Sequence, residues 1–201
     1  MTRIIDSNAF NFPPAKRWTV EEYHKLIEAG ILTSKDRVEL LFGQIVEMFP
    51  VGRNHANTVN QINEYLVRYK ILKEKNFIIG NQNPITLQDD SEPEPDLYLA
   101  KGPLSRYADH NPYPEDLLLL IEVADSSIHA DRSGKMVTYA SAGIQEYWIV
   151  NVYERQIEVH SIPNVEAGTY VKTQIISEQE AFHSSAMEGI VEAKSLIVQY
   201  D

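Results

Sequence analysis

Hydrophobic and polar positions change period several times along the chain, and one apolar block dominates. Leu117-Leu118-Leu119-Leu120-Ile121 is followed by Glu122, Val123, Ala124 and Asp125. A continuous aliphatic run of this kind predicts a strand buried on both faces. Side chains alternate along a strand, so Glu122 is expected on the face of Leu118 and Leu120, with Val123 opposite. An ionised carboxylate in such surroundings is costly unless a cation, a set of donors or water at the sheet edge compensates it.

The remaining pattern supplies elements around that strand. Thr19 followed by Glu21 and Glu22 predicts a capped helix with Tyr23, Leu26 and Ile27 on one face, ending near Gly30. Segments 37–41 and 44–48 flank Phe42-Gly43 and predict a β-hairpin in which Gly43 takes the positive φ. Val59, Ile62, Leu66 and Tyr69 recur at helical spacing and predict a long helix over about 55–73, capped by Asn54. Strands are expected at 77–79, at 84–87 and from Asp96 to Leu99, with a polar loop over 88–95 and a longer one over 101–116. A helix over about 131–141 closed by Gly143 and a strand at 147–150 follow, then two strands, 157–160 and 170–175, each with one wet face. This order predicts an α/β fold: an arm over 1–17, then one domain over 18–201 with a mixed central β-sheet, flanking helices and an N-terminal β-hairpin.

Composition narrows the function classes. With 201 residues, 43% hydrophobic and 23% charged, the chain can bury one sizeable core. No run approaches the ~18 apolar residues of a membrane span, and residues 1–6 lack a signal peptide's apolar core. Without cysteine there is no disulfide framework and no thiolate ligand or nucleophile. A cytoplasmic protein is expected. The net charge of −11 argues against a constitutive nucleic-acid binder, which needs Lys and Arg to neutralise phosphates. The objection is softened by distribution, because residues 151–201 hold eight acids and three bases. Carboxylates that bind divalent cations also count as negative.

Asp96, Glu122 and Lys135 carry the candidate chemistry. If their strands are neighbours, Asp96 and Glu122 meet beyond one sheet edge, where Mg²⁺ or Mn²⁺ would take carboxylate, water and phosphate oxygens. The backbone carbonyl of Val123 is a further candidate ligand. A metal lowers the pKa of bound water, and a lysine positions the nucleophile. The bland alternatives are a strand cap at Asp96 and a surface pair between Asp131 and Lys135. Two carboxylates also suit a glycosidase, a reading that leaves the lysine unused. A fold of this kind that has lost catalysis and binds a protein or nucleic-acid partner is the non-enzymatic alternative.

The ordered set Glu39-Leu40, Gly43, His55, Gln82-Asn83-Pro84, Glu92-Pro93-Glu94-Pro95-Asp96, Ile121-Glu122-Val123, Asp131, Lys135, Tyr139, Gly143 and Glu146-Tyr147-Trp148 resembles the Uma-type family of restriction-endonuclease-like proteins. This group, common in cyanobacteria, is placed in the PD-(D/E)XK nuclease superfamily. The resemblance covers roughly residues 18–160. It implies a restriction-endonuclease-like core, Mg²⁺-dependent hydrolysis of phosphodiester bonds in nucleic acid, chiefly DNA, and a homodimer. It also carries Asp96 and Glu122 over as the metal-binding acids and Glu39 as the first-motif glutamate. The superfamily's acid-x-Lys pattern is broken here, since Ala124 stands two residues after Glu122. Lys135, from the following helix, takes the lysine's place. His55 could orient a phosphate or water, and Gln82 could approach from a neighbouring strand. Tyr139, Tyr147 and Trp148 are expected in the core.

Overall fold

The computed structural model describes residues 14–198, so most of the expected arm over 1–17 lies outside it. Helix α1 (Val20–Glu28) starts in a capping box, in which the Glu22 amide donates to Thr19 Oγ1 and the Thr19 amide to Glu22 Oε2. Tyr23 is its buried anchor, while Ile27 is half exposed instead of sharing the packed face. Strands β1 (Val38–Leu41) and β2 (Gln44–Glu47) form the expected hairpin. Phe42 and Gly43 both take positive φ, 48° and 70°, as a two-residue turn between twisted strands requires.

Helix α2 (Arg53–Leu72) begins at an extended Gly52 and is not capped by Asn54. A side chain at Gly52 would crowd the Asp125 carboxylate, so this N-terminus lacks a side-chain cap. Val59, Ile62 and Leu66 form its buried stripe, and Tyr69 stacks on Phe77 with ring centroids 6.2 Å apart.

Six strands build the main sheet in the order β3 (Phe77–Asn81), β4 (Leu97–Lys101), β5 (Leu117–Ala124), β6 (Glu146–Asn151), β7 (Gln156–Asn164) and β8 (Thr169–Ser177). β5 and β6 run parallel and every other pair is antiparallel. The parallel pair needs a crossover, supplied by α3 (Ile128–Ala130), a π-helical turn (Asp131–Lys135) and α4 (Met136–Ser141). The helix thus starts three residues before its expected Asp131. Gly143 follows it at φ 77°.

The two faces of β5 bury different layers. Leu119, Ile121 and Val123 pack with α2, Trp148 and the C-terminal segment; Leu120 and Ala124 pack with Tyr139, Tyr147 and Ile149 on the crossover side. Leu118 does not share the face of Leu120 and Glu122. A register shift pairs Leu99 with Leu119 but Ala100 with Leu117, and the bulge turns Leu118 toward the α2 side.

Three further expectations are corrected. Segment 84–87 forms no strand, although Ile85 and Leu87 are buried and their amides donate to Pro93 and Ser91 carbonyls. The opposing chain carries Pro93 and Pro95, which cannot donate ladder bonds. β7 is buried on both faces over 157–160, because Ile157 and Val159 join the α2-side core while Glu158 is covered by Arg132 and His160 by Tyr147 and Tyr170; β8 does show the expected wet residues. A second hairpin, β9 (Ala181–His183) with β10 (Ile190–Glu192), was not foreseen. Its Phe182 meets Trp148 edge-on at 5.0 Å, and buried Glu146 ties the hairpin's loop to the sheet by accepting from Trp148 Nε1 (2.7 Å) and Ser184 Oγ (2.6 Å). Among the described residues, no helix is long and apolar enough to cross a membrane.

Gly80 lies opposite Tyr98 across β3 and β4, and a Cβ at Gly80 would collide with the Tyr98 ring. Gly80→Ala should therefore destabilise the fold by about 1–3 kcal/mol through overpacking. A thermal melt lowered by a few degrees checks this; an unchanged melt would refute it.

Candidate active site

Antiparallel pairing between β4 and β5 runs to Leu97 opposite Ile121. One step further, Asp96 comes to lie opposite Glu122, and directly opposed residues share a face. The two acids are therefore not on opposite sides of the sheet. Where the β4 ladder stops, the Asp96 side chain replaces it: Oδ2 accepts from the Val123 amide at 2.9 Å. The Val123 carbonyl projects to the same edge as its amide.

Asp96 is held from three elements. His55 Nε2, in the first turn of α2, lies 2.9 Å from Oδ2, and Gln82 Nε2 donates to Oδ1 at 3.2 Å. Gln82 also donates its amide to the Asp96 carbonyl, and does so from a left-handed backbone at φ 49°, which non-glycine residues seldom adopt. Burial works against ionisation of Asp96, but the His55 hydrogen bond and charge, together with the Val123 amide, hold its pKa below the usual range.

Lys135 reaches the other acid. Its Nζ is 2.9 Å from Glu122 Oε1 and 3.6 Å from Glu39 Oε2, and its side chain is largely enclosed beside both buried acids. Glu39 sits on β1, as expected, and its Oε2 accepts from the Glu94 amide at 3.1 Å. Asp131 and Lys135 are not a surface pair. The wide π-helical turn buries Asp131, where Ser127 Oγ donates to its Oδ2 at 2.6 Å, and turns Lys135 into the cleft.

All four expected catalytic side chains, Asp96, Glu122, Lys135 and Glu39, line one cleft of about 320 Å³, with His55 and Gln82. Three neighbours were not foreseen as site residues. Tyr139 is core, but its hydroxyl donates to Glu122 Oε1 at 2.6 Å. It stands four residues after Lys135, a helical spacing that aims both at the same acid. Glu94 lines the cleft, and its position in the alternating run Glu92-Pro-Glu94-Pro-Asp96 was the available signal. Asp131 is the third.

These carboxylates crowd one another. Burial, with Asp96 and Asp131 adding, pushes Glu122 well above the ordinary carboxylate range; Lys135 and Tyr139 oppose this without overcoming it. Burial and the neighbouring Glu39 raise Glu94. Burial would depress Lys135, but Glu122, Glu39 and Asp131 outweigh it and keep the ammonium protonated. Adjacent acids pushed in opposite directions, Asp96 down and Glu122 up, are a pattern associated with reactive sites. Among the described residues no three His, Asp or Glu side chains stand arranged as a ready metal cage.

A mixed sheet with a crossover helix on one face, a long helix on the other and a polar cleft at the end of β4 and β5 defines a restriction-endonuclease-like architecture. Residues 20–193 match Uma2, a family described as "Putative restriction endonuclease", and the chain belongs to that family. The fold is similar to a solved structure titled "a putative nuclease belonging to DUF820" from Anabaena variabilis ATCC 29413. The TM-score is 0.67 at 15% identity, covering 89% of this chain and 96% of the other. No curated protein matches the sequence.

Burial raises the Asp131 pKa from 3.8 to about 6. The folded chain then holds a proton that the unfolded chain releases, so the Asp131 contribution to stability is fully present below pH 3.8 and is lost as pH rises through about 6. The loss amounts to at most about 3 kcal/mol, at ~1.4 kcal/mol per pH unit. Asp131→Asn should flatten this part of the stability profile in denaturant titrations across that window. An equally steep decline in the variant would refute the assignment.

Proposed function

We propose that the chain is a Mg²⁺-dependent endonuclease that hydrolyses phosphodiester bonds of nucleic acid, chiefly DNA. Membership of a restriction-endonuclease family supports the class of reaction. The observation that carries the reading is the reach of Lys135 from the crossover helix to Glu122, in the cleft that also holds Asp96.

The residues fit Mg²⁺ on the chemistry of their donors. Asp96, Glu122 and the Val123 carbonyl are hard oxygen ligands, and Mg²⁺ needs only one or two carboxylates because it keeps several waters. The acids in the cleft outnumber its cations, and Glu122 and Glu94, raised chiefly by burial, are raised further by the acids beside them. A divalent ion would relieve that repulsion. When bound, the metal would lower the pKa of water and stabilise charge on the phosphate.

The protein's own groups do the rest. His55, Gln82 and the Val123 amide fix the Asp96 carboxylate so that its lone pairs need no reorganisation. Tyr139 and Lys135 fix Glu122. Lys135 stays protonated, so it serves by orienting the attacking water and balancing charge on the phosphate, not by accepting a proton. Water adds to phosphorus as one of its protons passes to solvent, the bond to the leaving oxygen breaks, and that oxygen takes up a proton from solvent. Glu39 holds the ammonium from its second side. We also propose a homodimer, with the β8 edge, where Val171 and Ile175 are exposed, as the joining surface.

Isothermal titration should show Mn²⁺ binding in the wild type and none in Glu122→Gln; equal titrations would overturn the metal assignment. With Mn²⁺, the wild type should nick or cut DNA and Lys135→Ala should slow this roughly a hundredfold or more, as expected for losing a preorganised charge. Circular dichroism verifies that the variant is folded. An active K135A protein would remove Lys135 from the mechanism.

A further inference from the structure

The charge lining the cleft restricts what kind of nucleic acid can enter. Seven carboxylates face it, against two permanent cations, Arg37 and Lys135, and Lys135 is already held by Glu122 and Glu39. One divalent ion would not reverse that sign. Duplex DNA carries a phosphate about every 1.7 Å of axis, and its affinity comes largely from Lys and Arg that displace counterions. This cleft lacks that source of binding energy.

Apolar surface stands in its place. The connection from β2 to α2 contributes Met48, Phe49, Pro50 and Val51 to the same cleft, and Phe49 and Val51 remain 50% and 42% exposed. These residues form no helix or strand. A half-exposed aromatic ring beside a phosphodiester-cleaving centre is suited to stacking an unpaired base, which any base can satisfy through its π-face. In a duplex those faces are covered by neighbouring base pairs.

Resting on the nuclease reading of this cleft, we infer that its substrate is single-stranded DNA or the unpaired end of a duplex, with Phe49 as the stacking platform for a base next to the scissile phosphate. The strand is gripped mainly by contact with bases, and only two or three phosphates are neutralised. Paired DNA is disfavoured because it offers two rows of phosphates and no open base face.

Fluorescence anisotropy tests this with labelled oligonucleotides of mixed sequence, single-stranded, blunt duplex and duplex with an unpaired tail. Ca²⁺ replaces Mg²⁺, since it takes the same class of oxygen donors. The single strand and the tailed duplex should bind more tightly than the blunt duplex. The slope of log K against log salt should be no steeper than about −2, from ~0.7 per phosphate released. Phe49→Leu should weaken single-strand binding by between about fivefold and a hundredfold, the range for one stacked base, while Phe49→Trp retains it. Phe49 is half exposed, so both variants should fold, and matching circular dichroism spectra verify this. Tighter binding or faster Mn²⁺-supported cutting of blunt duplex would overturn the inference and leave the nuclease reading intact. Unchanged binding in F49L would overturn it as well. Absence of cutting on every substrate, with Mn²⁺ titrations equal in wild type and E122Q, would instead remove the reading beneath it.

Discussion

A buried ammonium among carboxylates organises this protein. Bringing Lys135 and Glu122 out of water costs several kcal/mol per ion, and their attraction repays this only where further groups satisfy the remaining valences. Here Glu39 approaches the ammonium from β1 and Tyr139 donates to the carboxylate from α4. The hairpin, the central strand and the crossover helix are thereby tied at one point. None of the three could shift without stranding a charge in the interior.

The division of the two sheet faces follows from the same constraint. The α2 face is mainly apolar, and Val59, Ile62 and Leu66 share one core with Leu97, Ile121 and Trp148 there, with buried Glu146 fully engaged by Trp148 and Ser184. The opposite face mixes apolar packing with buried acids, and its aromatic residues do double duty. Tyr139 packs edge-on to Tyr147 at 4.9 Å while its hydroxyl serves Glu122, and the Tyr147 hydroxyl donates to the Asp131 carbonyl. The crowded acids of the cleft lie in the layer whose helix supplies Lys135 and Tyr139 as partners. The other layer supplies most of the hydrophobic burial.

Much of this was legible in the sequence where a pattern had one physical explanation. The run 117–121 read as a strand buried on both faces, and the stripe from Val59 to Leu66 matched a helix period. Asp96, Glu122 and Lys135 stood out as charges in or beside apolar segments, and the family-like order carried Glu39 with them. What stayed hidden depended on long-range context. Segment 84–87 has strand composition, but the prolines facing it remove the ladder. The turn of Leu118 to the other face depends on a bulge set by Ala100 on another strand. Tyr139 and Asp131 read as core and surface because nothing local reveals that the helix carrying them widens.

That widening has an evolutionary side. Each residue of an α-helix advances the side-chain direction by about 100°. Within the π-helical turn, Asp131–Lys135, one added residue is absorbed without unravelling the helix on either side. A deletion of one residue just before Lys135 would restore ordinary pitch; with Tyr139 and α4 kept on the sheet by their packing, Lys135 would hold its place and the preceding residues, Asp131 among them, would swing by a quarter-turn or more. A single-codon change in helix length upstream of the lysine would therefore re-aim the acid of this turn and leave the ammonium where it is.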